Sequence, residues 1–123
     1  MLDKINKYQN LYVYENENIK EILGVNFIKD NEIEFMGRFK RKDRSCITDF
    51  NGKAKNSNAN MDPEIDEDED GNAYPSAEYL FEDGKRVISV RIAKTEKDKA
   101  IAMMSGYNDP CSLDKSNVLK LKK

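Results

Sequence analysis

From Glu32 to Lys40 the chain alternates residue by residue. Ile33, Phe35, Gly37 and Phe39 share one side, while Glu32, Glu34, Met36, Arg38 and Lys40 share the other. Side chains of an extended chain point to opposite faces with a period of two, so this stretch reads as a half-buried β-strand and fits a helix poorly. The same period recurs along much of the chain and restricts the fold to antiparallel β architectures with one wet face.

Leu11 to Tyr14 is a short β-rich run, and Ile19, Leu23, Val25 and Phe27 share one face if residues 19–28 are extended. A short helix from Asn18 through Leu23 is the competing reading there. Asp30-Asn31 supplies turn chemistry, and Cys46 to Phe50 reads as a strand closed by Asn51-Gly52, a strong hairpin signal. Ala77 to Phe81, an Asp83-Gly84 turn and Arg86 to Ile92 make a further hairpin. Residues 96–104 admit a capped helix starting at Thr95 or a strand from Ala100 to Met104; the strand is preferred because an isolated hairpin needs a neighbour. Val118 to Leu121 reads as a closing edge strand, its lysines discouraging further pairing. The expectation is a mostly β fold: a single antiparallel barrel or sandwich of about 7–8 short strands, with one short helix as an option.

The 123 residues fit one domain, spanning 1–123, that can bury a core without a metal. No stretch approaches the roughly 20 apolar residues of a membrane helix, and the start of the chain lacks the apolar core of a signal peptide. A cytoplasmic location follows if Met1 is the native start, and a periplasmic or extracellular one if the chain is a processed fragment. Residues 1–60 carry eleven basic and nine acidic side chains, residues 61–123 ten and fourteen. That weak polarity is not the basic face of a nucleic-acid binder. The run Arg38, Lys40, Arg41, Lys42 and Arg44 reads as a solubilising strand edge rather than a phosphate-binding patch.

The chain has no histidine. The commonest general base and triad partner is therefore missing, and Ser105, Ser112 and Cys46 lie in no nucleophile context, so an enzyme is not expected. Cys46 and Cys111 are either two buried thiols or one long-loop disulfide.

The periodicity fails at about 56–75, where a long polar and then acidic stretch is bracketed by Pro63 and Pro75. Loops of that length in small domains are usually functional or disordered. Asp66, Asp68 and Asp70 followed by Gly71 match the first half of a calcium loop, with Glu78 as a late fourth oxygen ligand. An EF-hand is ruled out, because its twelfth position is Ala77 and its flanks are not helical. The other use of the segment is as an acidic docking surface. Glu64, Asp66, Glu67, Asp68 and Asp70 would face a basic patch on a partner protein, with Tyr74 as anchor. The sequence thus points first to a non-catalytic binding protein, an inhibitor or immunity-type module docking through the acidic loop. The alternative is a secreted or periplasmic calcium-stabilised β domain of lipoprotein type. A third reading, a small-ligand carrier with Phe27, Phe35, Ile88 and Val90 around a cavity, competes with those side chains simply filling the core.

Overall fold

In the computed structural model the alternating segment forms β3 (Glu32–Arg41), between β2 (Ile19–Lys29) and β4 (Cys46–Lys55). The other strands are β1 (Asn10–Glu15), β5 (Glu64–Glu67), β6 (Ala73–Asp83), β7 (Arg86–Ala93), β8 (Lys99–Ser105) and β9 (Leu119–Leu121). The structure describes residues 7–29, 31–43, 46–56, 64–84, 86–94, 96–105 and 117–122. All pairings are antiparallel, in the order β4-β3-β2-β1-β9-β8-β7-β6-β5. A further pairing of Lys55 with Leu80 joins β4 to β6, closing eight strands into a barrel and leaving β5 as a ninth strand outside the closure.

The helical options at residues 18–23 and 96–104 both give way to strands, β2 and β8. The β6–β7 hairpin gains β8 as its third strand, and Ala100 and Ala102 have small side chains that fit buried positions opposite Ile92 and Val90. Two expectations need correction. Asn51-Gly52 makes no turn: it lies inside β4, because Gly52 stands where the Phe81 ring packs, 2.6 Å from an added Cβ. Nor is the last strand an edge, since β9 sits between β1 and β8 and completes the barrel.

The inward face repeats the sequence periodicity. Tyr12, Leu23, Val25, Ile33, Phe35, Val90 and Leu119 are fully buried. An eight-stranded barrel has an interior about wide enough for side chains to fill. Here Phe35 meets Phe81 edge-on at 5.7 Å, and Phe39 meets Phe50 at 5.1 Å. Gly37 admits the Phe50 ring, whose Cζ would lie 2.0 Å from a Cβ on that residue. Phe35, Ile88 and Val90 are therefore packed core rather than a ligand cavity, with Phe27 half-buried at the rim. No helix among the described residues is long and apolar enough to cross a membrane.

Candidate functional site

β4 stops at Lys55, opposite Leu80, yet β6 begins seven residues before that point. The first half of β6 would present bare backbone there, and β5 supplies the missing partner in the register Glu64–Ser76, Ile65–Pro75, Asp66–Tyr74 and Glu67–Ala73. The acidic stretch is thus in part a hairpin rather than a loop across 56–75; residues 57–63 of that range lie outside the described residues.

Turn chemistry explains the aspartate spacing. The Asp68 and Asn72 backbones pair (N–H to carbonyl, 3.0 Å), and the Gly71 N–H returns to the Asp68 carbonyl, also at 3.0 Å. Gly71 has φ of 82°, so the tip is a three-residue loop ending in a left-handed glycine bulge. The Asp68 carboxylate accepts the backbone N–H groups of Asn72 (2.9 Å) and Asp70 (3.0 Å), and these bonds hold its pKa below the usual carboxylate value.

The base of the hairpin is bolted to the barrel wall. Arg91 on β7 donates to Asp66 at 2.9 Å and to Glu78 at 3.1 Å. Ser76 donates to the other Asp66 oxygen at 2.6 Å, and Ser89 donates to Glu78 at 2.7 Å. Alternate positions on neighbouring strands face the same way, which brings these five side chains together on the outer surface. Farther out, the ammonium of Lys99 lies 5.2 Å from the Tyr74 ring centre and pairs with Asp98, while Lys120 reaches Glu69 at 3.5 Å. Burial, and then the carboxylates of Asp66, Asp68 and Asp98, push the Tyr74 phenol up to about 12. Between hairpin and β7–β8 turn lies a half-open cleft of about 260 Å³, lined by Asp68, Tyr74, Pro75, Glu96, Asp98 and Lys99 among others.

The six docking residues expected from the sequence therefore divide. Asp66, Asp68 and Tyr74 hold the hairpin in place. Glu64, Glu67 and Asp70 are exposed and, among the described residues, have no ion-pair partner. Ile65, between two of them, is 64% exposed, the most exposed large apolar side chain described. Sequence reasoning passed over it, although an isoleucine inside an acidic run is a usable signal. The calcium set does not converge: Asp66 and Glu78 neutralise Arg91, Asp68 ties the turn, and no group of three or more acidic or cysteine side chains among the described residues is placed to hold a metal ion. Cys46 is disulfide-bonded; Cys111 lies outside the described residues.

A second unanticipated residue is Glu21, which is 1% exposed inside the barrel. It lies between Tyr14 of β1 and Phe39 of β3 and accepts a hydrogen bond from the Asn117 amide at 3.0 Å. Burial raises its pKa to about 7, the hydrogen bond opposing the shift. Its parity with Ile19, Leu23, Val25 and Phe27 was legible in the sequence. The basic run is split: Arg38 pairs with Asp49, Arg41 with Asp43 and Lys42 with Glu15, while Arg44 lies outside the described residues.

No protein-family model matches the chain, and comparison with curated proteins and with solved structures gives no significant match.

Proposed function

We propose that this chain is a non-catalytic binding protein, an inhibitor or immunity-type module that docks through its β5–β6 hairpin on a basic surface of a partner protein. The carrying observation is a strand outside the barrel closure that presents Ile65 beside the carboxylates of Glu64, Glu67 and Asp70, which have no ion-pair partner among the described residues. Interface anchors are commonly apolar side chains ringed by polar ones, and charge around the rim steers encounter more than it tightens the complex. Rigid support favours the same reading, because the Arg91 bridge and the Asp68 turn order the hairpin before any partner arrives. The chain has no histidine, and the carboxylates of Asp66 and Glu78 are both engaged by Arg91. The test is capture of partners on tagged protein beside a Glu64→Gln/Glu67→Gln/Asp70→Asn variant. A partner held by the parent and lost by the variant, with association slowed as salt is raised, supports the reading; a partner retained equally by both overturns it.

The disulfide-bonded state of Cys46 favours the secreted or periplasmic alternative as the setting in which such a module works. Intact mass of native protein tests this. Loss of two hydrogens supports an oxidising compartment, and two alkylatable thiols refute it.

A further inference from the structure

The backbone register of the hairpin says more than its charges do. Asp68 and Asn72 form a hydrogen-bonded pair, and antiparallel ladders alternate bonded with non-bonded pairs. Asp66–Tyr74 and Glu64–Ser76 are then the bonded pairs, while Ile65 and Glu67 turn their N–H and carbonyl groups away from β6. Pro75, opposite Ile65, agrees with this phase: its carbonyl accepts from the Lys94 N–H on the β7 side at 2.9 Å, and its missing N–H costs the β5 pairing nothing. β5 is last in the strand order, and among the described residues nothing pairs with its outer edge. At the other end of the order, β4 meets β6 through the single pairing of Lys55 with Leu80.

Resting on the binding-module reading above, we propose that the partner engages β5 by strand addition: an extended basic segment pairs with the outward backbone groups of Ile65 and Glu67, setting an apolar side chain against Ile65 and lysine or arginine against Glu64 and Glu67. Open edges accept added strands through main-chain bonds, while the flanking side chains select the sequence. A second copy of this chain is the wrong occupant. Antiparallel pairing of two β5 strands through these outward groups sets Asp66 on Asp66, Glu64 on Asp66, or Asp66 on Asp68, and like charges directly opposite are destabilising. The same acidic fringe keeps the free edge from self-association until a basic strand covers it.

The test selects displayed random linear peptides on the immobilised full chain, then measures the enriched peptides against Ile65→Pro, Glu67→Pro and the triple-neutralised variant. Each proline removes one outward N–H without touching a bond to β6, and a thermal melt checks that the barrel is intact. Two positions are used so that one misfolded variant leaves the other to decide. The expected result is enrichment of peptides in which an apolar residue has a lysine or arginine directly beside it on one side and a second one two positions away on the other, the spacing that Glu64, Ile65 and Glu67 impose. Their affinity should fall by about tenfold or more on either proline variant, and the Ile65 and Glu67 amides should gain protection from exchange on binding. Peptides that bind the proline variants as tightly as the parent, yet are lost on neutralisation, overturn strand addition and leave hairpin docking standing. Peptides indifferent to both changes overturn both. Failure to enrich any linear peptide overturns strand addition alone, since partner capture tests the hairpin separately.

Discussion

Glu21→Gln removes a charge from inside the barrel while keeping the shape of the side chain and an oxygen to accept from Asn117. The parent carboxyl has its pKa raised by burial from an ordinary 4.5 to about 7. A carboxyl raised on folding binds its proton more tightly in the native state, so its contribution is fully present below about 4.5. It is lost as pH climbs toward 7 and stays lost above that. At roughly 1.4 kcal/mol per pH unit, the interval from 4.5 to about 7 corresponds to about 3 kcal/mol of stability missing at pH 8. Glutamine carries no such penalty. The variant should match the parent near pH 4.5 and exceed it by about 3 kcal/mol at pH 8, raising Tm by on the order of 10 °C for a domain of this size. Urea denaturation of both proteins from pH 4.5 to 8.5 gives the difference directly, and effects of every other carboxylate cancel in it. Parallel stability curves across that range would refute a buried, neutralised Glu21.

Three further outcomes are expected. Gly37→Ala forces a methyl against the Phe50 ring, 2.0 Å from its Cζ, and should cost about 1–3 kcal/mol in denaturant unfolding. Arg91→Met strips Asp66 and Glu78 of their shared cation; it should cost about 2 kcal/mol, part of the range for deeper pairs because Arg91 is 24% exposed. Exchange of the Glu64 and Asp66 amides should then accelerate before the barrel melts. Gly71→Ala meets no neighbouring atom, so its cost is the left-handed backbone alone, about 1 kcal/mol. It should appear as faster exchange at Asp68 and Asn72 with barrel strands unaffected, and uniform protection across the tip would argue against the bulged turn.

The alternation of Ile33, Phe35, Gly37 and Phe39 determined by itself that β3 would be a strand and which face it would bury, because a period of two leaves a strand no other way to hide its apolar side. The same argument carried β2, β7 and the preference for a strand at β8. The acidic segment was legible as unusual, but its division into Asp66, Asp68 and Tyr74 on the supporting side and Glu64, Glu67 and Asp70 on the exposed side was not. That split depends on Arg91 and Lys99, distant in sequence and brought alongside only by the β6–β7–β8 register. Asn51-Gly52 had the local chemistry of a turn, and long-range packing of Phe81 overrode it. Glu21 followed the inward parity of its strand, yet parity cannot say whether that position meets solvent at a barrel mouth or a closed interior. Sequence periodicity sets the face of each strand; the closure of β4 onto β6 decides which faces are sealed, and why a ninth strand lies outside the barrel, its outer edge unpaired among the described residues.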